Sequence, residues 1–366
     1  MAYHISILLK DKSLSVLLRQ IYCGSHLFIR SSITLLIGIA LIFAGFCLSC
    51  EKKTSPEETI TSQEEKSVPP THLHKVRYTI KWLHQAQFAG AYMAKEMGFF
   101  QQYGLDVEII QGGVDNPPYK ALINGKTEFC SMNLITAVER NNPEFPLINL
   151  AQISQKNSSW LVGKKTTGIK NLQDLNGRKV GVWRDEAGDH IRYFLNDNKI
   201  QAQIIPLDWS VNLFLNDAID MMNVMSYNEY HRILMAGMEP EDLVVFNLSD
   251  YGYDLVDDGT YTSRAYYIQH PELCKNFTKA LIEGWIYALN HPDETVNVVV
   301  RYMRDNHLPA NYNHQYWMLN RMRERILENP DKVGYLNPED LALAEEILKR
   351  NGKLAYPVEY KDFFLQ

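Results

Sequence analysis

From residue 76 onward the chain alternates between two hydrophobic rhythms, short runs of period two and longer runs of helical spacing. Val76, Tyr78, Ile80 and Trp82 share one face of an extended segment, which predicts a strand. Gly90 to Phe100 has helical spacing, with Gly98 and Gly104 marking its end and the next turn. Leu105 to Ile110 predicts a second strand and Gly112-Gly113 a turn. Pro117-Pro118 opens a helix through Ile123, because proline is tolerated in a first helical turn, and Asn124-Gly125 ends it. Thr127 to Met132 predicts a third strand.

The same phrase recurs downstream. Lys179 to Trp183 predicts a strand, Ala187 to Asn196 a helix, Gln203 to Pro206 a strand, Val211 to Asn216 a helix and Ala218 to Met222 a strand. The segments Ala121 to Glu128 and Leu213 to Asp220 also match, each with an Asn, a turn residue and then an acidic residue. Strands alternating with helices indicate parallel βαβ units. After a strand-like stretch from Thr260 to Ile268, the pattern is helical over Pro271–Leu289, Pro292–Met303, Tyr316–Leu327 and Pro338–Lys349. The expected fold is therefore α/β, with two lobes that each hold a mostly parallel sheet flanked by helices. Residues 76–160 plus 255–366 are expected to form lobe one and 161–254 lobe two. Two chain crossings then act as a hinge, and ligand sites in such folds lie at strand carboxyl ends and between domains.

The first 75 residues follow a different pattern. Ile33 to Leu48 is a nearly unbroken apolar run of sixteen residues with Arg30 before it. That length is short for a membrane span and sufficient for a signal-peptide core. The run ends at Leu48-Ser49-Cys50, a small residue directly before a cysteine, which resembles a bacterial lipoprotein cleavage site with Cys50 as the lipidated residue. Cys47 departs from that pattern, and a short N-terminal anchor with an incidental cysteine is the alternative. Met1 to Ser25 lengthens the charged region ahead of the core, or the true start lies downstream. Residues 51–75 carry Glu57-Glu58, Glu64-Glu65 and Pro69-Pro70, too polar to offset ordering entropy, and are expected to be a flexible tether.

Composition narrows the class. The 366 residues suit two lobes, with 46% hydrophobic and 22% charged residues. The net charge of −6 comes without a basic cluster in the body, so a nucleic-acid surface is not expected. No P-loop or dinucleotide glycine motif occurs. Cleavage before Cys50 would leave Cys130 and Cys274, in a predicted strand and helix and without metal-ligand spacing, and these are expected to be buried thiols.

Several phrases, in order, resemble one known family. They are Trp82-Leu-His-Gln-Ala-Gln-Phe-Ala-Gly-Ala-Tyr-Met-Ala94, Lys95-Glu-Met-Gly-Phe-Phe100, Gly104 to Glu108 and Gly112-Gly113. Leu172 to Val182, Asp208 to Leu215, Ser226 to Tyr230, Tyr251-Gly-Tyr253 and Asp257-Asp-Gly259 follow. Together they resemble the thiamine-pyrimidine-precursor-binding family, which groups solute-binding proteins of ABC importers with the eukaryotic thiamine pyrimidine synthase. The resemblance implies a periplasmic-binding-protein fold and a pyrimidine or related flat heterocycle in the cleft. Relatives also bind riboflavin, sulfonates or nitrate. The implied partners are a membrane permease and its ATPase, with the membrane reached through a lipid on Cys50. The protein is expected to act as a monomer without a cofactor. The synthase, which uses pyridoxal phosphate and iron, consumes a histidine of its own at the place matched here by Phe88. His84 is not aligned with that position.

A flat heteroaromatic ligand needs stacking faces and fixed polar groups for its edge. Trp82, at the end of the first strand, is expected in the cleft, with Gln87, Phe88 and Tyr92 at the following helix. Phe88 and Tyr92 are four apart and share a face, so at least one is expected in the core. Gly112 and Gly113 allow close backbone approach ahead of a helix N-terminus, or form a plain turn. Asn133 supplies an amide, and Trp183, ending the first strand of lobe two, is expected to clamp a ring against Trp82. Tyr227 and Glu229 follow a strand. The Glu229 carboxylate would accept from an exocyclic amine, the alternative being a surface glutamate at a helix start. Tyr251 and Asp258 are weaker candidates, since turn residues explain both.

Overall fold

The computed structural model describes residues 72–365. The leader, Cys50 and residues 51–71 of the tether lie outside the described residues. The described chain belongs to one compact unit containing two five-stranded sheets. The first holds β1 (His74–Thr79), β2 (Leu105–Ile110), β3 (Phe129–Asn133), β4 (Leu147–Gln152) and β10 (Asp258–Ser263), in the order β2-β1-β3-β10-β4. The second holds β5 (Ser159–Lys164), β6 (Lys179–Trp183), β7 (Gln203–Leu207), β8 (Met221–Met225) and β9 (Leu243–Asn247), in the order β7-β6-β8-β5-β9. Each sheet has one reversed strand in its fourth place, β10 in one and β5 in the other. Each of these is the first strand made after the chain changes sheets. The fold is thus α/β and two-lobed, with mixed rather than wholly parallel sheets.

The related phrases occupy related places. Helices α1 (Ala89–Glu96), α2 (Phe99–Gln102), α3 (Pro118–Ile123) and α4 (Leu134–Arg140) belong with the first sheet. Helices α5 (Asp189–Asp197), α6 (Asn212–Leu215) and α7 (Glu229–Met235) belong with the second. Both α3 and α6 end at an Asn followed by a left-handed residue, Gly125 at φ 63° and Asp217 at φ 56°. That turn feeds β3 in one sheet and β8, its equivalent, in the other. Glycine and aspartate tolerate this backbone conformation better than most residues.

The remaining helices are α8 (Arg264–Gln269), α9 (Pro271–Asn290), α10 (Pro292–Asp305), α11 (Tyr312–Ile326), α12 (Pro338–Arg350) and α13 (Tyr360–Phe363). Helix α9 packs on α1 at close range, because a side chain at Gly284 would meet the Gly90 carbonyl at 2.2 Å. Behind it Phe277 stacks on Phe129 with ring centroids 4.0 Å apart. The strand expected through Ile268 stops at Ser263, whose Oγ accepts from the Tyr266 N–H and caps α8. Cys130 and Cys274 are buried. Among the described residues no helix is long and apolar enough to cross a membrane, and no cluster of three or more His, Cys, Asp and Glu is placed to hold a metal ion.

Candidate functional site

Strands β1 and β3 end at the same rim of the first sheet, and the reversed β10 begins there, with Asp258 opposite Asn133. Just past β1, the Lys81 backbone N–H donates to Ser131 Oγ at 2.7 Å, which holds the chain at this rim. The Lys81 ammonium pairs with Asp258 and donates to Asn133 Oδ1 at 2.6 Å. The other Asp258 oxygen accepts from Gln87 Nε2 at 2.6 Å, and Gln87 Oε1 accepts from Gln85 Nε2 at 2.6 Å. Both glutamines lie at the short turn opening α1. Lobe one therefore lines its side with a buried ion pair and amides hydrogen-bonded to it, which compensates the cost of desolvating the charges.

Lobe two contributes the ends of β6 and β8. Trp183 is the last residue of β6, while Tyr227, Asn228 and Glu229 follow β8 and open α7. The Glu229 carboxylate is buried and accepts from the Met225 N–H at 2.9 Å and from Asn228 Nδ2 at 2.6 Å. Burial raises its pKa, and the bond from Met225 opposes the rise. Asn228 Nδ2 also reaches Gln85 Oε1 at 3.4 Å, a polar link between the two sides. At the point where lobe one meets the crossing chain, the Asp257 carboxyl is pushed up to about 6 by burial.

Between these walls lies a cavity of about 420 Å³. Trp82, Gln87, Gly113, Asn133, Trp183, Tyr227 and Glu229 all line it, so most of the expected residues converge on one space. Four do not. Phe88 and Tyr92 are both buried in the lobe-one core, where Tyr92 OH bonds His84 Nδ1 at 2.9 Å. Gly112 serves a close backbone approach instead, since a Cβ there would lie 2.0 Å from the Ile80 carbonyl oxygen. Tyr251 is 41% exposed and sits edge-on to Phe194 and Phe246, away from the cavity.

The two tryptophans do meet, but not as parallel plates. Their centroids are 6.2 Å apart and the rings are inclined at 67°. A ring sandwiched between parallel faces needs two contacts of roughly 3.5 Å, about 7 Å in all. In this conformation one indole presents its edge to the other, so the pair offers one stacking face with an edge beside it rather than two parallel faces. Sequence reasoning missed Lys81 and Gln85, which also line the cavity. Each sits beside or within the Trp82–Ala94 phrase, and this proximity was the only signal. Arg184 and Asp189 complete the lobe-two rim.

Two α/β lobes with an inter-lobe cavity at the strand ends define the periplasmic-binding-protein fold. The periplasmic aliphatic sulphonate binding protein of Escherichia coli has it too, with a TM-score of 0.58 and 14% identity over 79% of this chain and 96% of that one. The family model "NMT1/THI5 like" matches residues 85–295, and the chain belongs to that family. It is 21% identical to the formylaminopyrimidine-binding protein of Halalkalibacterium halodurans, over 89% of this chain and 96% of the relative. It is 19% identical to the 4-amino-5-hydroxymethyl-2-methylpyrimidine phosphate synthase of Legionella pneumophila, over 62% of this chain and 72% of the relative. The family thus contains members named for binding and a member named for synthesis.

Proposed function

We propose that this protein is the solute-binding component of an ABC importer and captures a small flat heterocycle bearing an amino group, such as a thiamine pyrimidine precursor. The observation that carries the reading is the cavity itself. It brings Trp82 and Trp183 beside the buried Glu229 carboxylate, a stacking face next to an acceptor. In this reading lobe one comprises 76–160 and 255–366, lobe two comprises 161–254, and closure occurs because the closed state gains contacts from both. The chain is exported, tethered through a lipid on Cys50, acts as a monomer, and presents its closed form to a permease driven by a separate ATPase. The synthase reading is disfavoured because Phe88, at the place of the consumed histidine, is packed in the core.

The test begins with mass spectrometry of small molecules carried by the purified full chain, followed by calorimetry with the compound found. Trp82→Ala is expected to weaken binding about 10- to 100-fold, the range for loss of one stacked base. Glu229→Gln is expected to weaken it about tenfold, with both variants folded. Unchanged affinities would remove these residues from the site, and turnover of pyridoxal phosphate with iron would replace the binding reading by the synthase one.

A further inference from the structure

We infer that the Lys81–Asp258 ion pair and the buried His314 act as positioning residues that hold Glu229 as a hydrogen-bond acceptor. They do so through a one-way chain of three side-chain amides, and the cleft thereby selects an amino edge over an oxo edge on its ligand. The inference deepens the proposed function and rests on that reading for the ligand.

The direction of the chain follows from its ends. An ammonium only donates and a carboxylate paired with it only accepts. Asp258 therefore receives Gln87 Nε2 (2.6 Å), which turns Gln87 Oε1 toward Gln85. Gln85 Nε2 donates to it (2.6 Å), which turns Gln85 Oε1 toward Asn228 Nδ2 (3.4 Å). The same Asn228 amino group faces Glu229 Oε1 at 2.6 Å. Both Glu229 oxygens meet N–H donors, Asn228 Nδ2 on Oε1 and the Met225 N–H on Oε2, and such bonds are stronger to the ionised form. They favour an accepting carboxylate against the burial that raises its pKa.

The other end of the chain is closed by two histidines. Asn228 Oδ1, left as an acceptor, lies 3.0 Å from His314 Nε2, which must carry the proton. His314 Nδ1 is then bare and lies 2.9 Å from His231 Nδ1, which must donate. His231 stacks on Trp317 with centroids 4.4 Å apart and rings within 6° of parallel. Both histidines are shifted down by burial, His314 to about 4, so both are neutral near pH 7, as this proton arrangement requires. His314 lies on α11 and does not line this cavity; it lines an adjoining one that shares Trp82, Gln85, Asn228 and Glu229, and it bonds Asn228 directly.

Gln85, beside α1 of lobe one, meets Asn228, after β8 of lobe two, at the 3.4 Å contact, and His314, also of lobe one, meets the same amide at 3.0 Å. Lobe closure and donor–acceptor selection are accordingly joined at Asn228. An oxo group meeting Glu229 would place two acceptors together without a proton, and such a mismatch costs about tenfold or more in affinity.

Two measurements on the full chain test this. Nitrogen-15 NMR of the ligand-free protein should show His314 protonated on Nε2 with Nδ1 bare, and His231 protonated on Nδ1. A bare His314 Nε2 would reverse the chain and overturn the inference whatever the ligand is. Calorimetry then compares 4-amino-5-hydroxymethyl-2-methylpyrimidine with its 4-oxo counterpart. The wild type should prefer the amino compound by about tenfold or more. His314→Leu, which strands the Asn228 carbonyl, should shrink that preference to within about threefold, and His314→Gln, which can still donate, should restore most of it. An undiminished preference in a folded His314→Leu variant would sink the positioning role. If the wild type binds neither compound, the functional reading falls, while the tautomers still decide whether the chain runs as described.

Discussion

The two sheets share a strand order, a reversed fourth strand and a tryptophan at or just past the end of the second strand, yet they furnish the cleft differently. In lobe one the reversed strand begins with Asp258, paired to Lys81. In lobe two it begins with Ser159, whose Oγ accepts from Asn223 Nδ2 at 2.9 Å and shares a hydrogen bond with His190 Nε2 at 2.7 Å. His190 is pushed down to about 3, first by burial and then by the positive charge of Lys81 across the cleft. One topology therefore supports an ion pair at the start of one reversed strand and a neutral set at the start of the other. A second cation opposite Lys81 would repel it in a poorly solvated space.

The tryptophans give the largest expected contrast. Trp183 is buried in a lobe-two cluster with Leu207, Val211 and Met222, whereas Trp82 is only half-buried against the lobe-one core. Trp183→Ala should destabilise the fold by about 3–5 kcal/mol, the usual cost of emptying a buried aromatic site. Trp82→Ala should cost about 1–2 kcal/mol, since less of its area leaves water on folding. Urea titrations of both variants measure this. Equal losses would mean that the two indoles are interchangeable core residues, and the division of labour would fail.

Next comes the charge. Asp258→Asn leaves the Lys81 ammonium without its carboxylate at a position where the two side chains are 17% and 7% exposed. About 3 kcal/mol should be lost, near the low end for breaking a buried pair because some solvent reaches Lys81. Ser159→Ala at the equivalent place removes neutral hydrogen bonds and should cost about 1 kcal/mol. Denaturation midpoints of the two variants would show it, and a larger loss at Ser159 would reverse the assignment of charge and neutrality to the two strand starts.

How much of this could be read in the sequence follows from burial and distance along the chain. Strands β1, β2, β6 and β7 were legible because they carry alternation or lie between clear turn residues. Strand β4 was not, because all six of its residues are buried and the period of two disappears. Strands β5 and β9 escaped notice for a similar reason, since apolar residues fall on both faces. Helix α4 follows β3 without a turn, and its N-cap Asn133 makes no capping bond because Oδ1 is held by Lys81. In the site, Trp82, Trp183 and Glu229 could be placed because they sit at or just beyond strand ends. The Lys81–Asp258 pair could not, since Lys81 follows β1 and Asp258 opens β10, and the two meet only after the chain has built the other lobe. For Phe88 and Tyr92 the helix motif shows a shared face, with at least one of the two expected in the core, but not which way that face points; both lie in the core.

The smallest effect is the most direct probe of the neutral side. His190 has a folded pKa of about 3 against an ordinary value of 6.5, so the unfolded chain takes up its proton first on acidification. The stability that this neutral histidine contributes is complete above pH 6.5 and falls as the pH drops from 6.5 toward 3. The slope should approach 1.4 kcal/mol per pH unit well below 6.5 and be shallower near it. Asp257 acts in the opposite sense, because its folded pKa of about 6 lets the native state take up a proton first between 6 and its ordinary value of 3.8. Comparing wild type with His190→Gln removes the direct contribution of Asp257 from the account, since Asp257 titrates in both proteins. Urea midpoints should therefore show the variant at its greatest disadvantage near pH 7. The gap should close by about 1 kcal/mol between pH 6.5 and 5.5. A gap that stays constant over this interval would mean that His190 is protonated in the folded cleft, and the contrast between the charged and the neutral strand start would be lost.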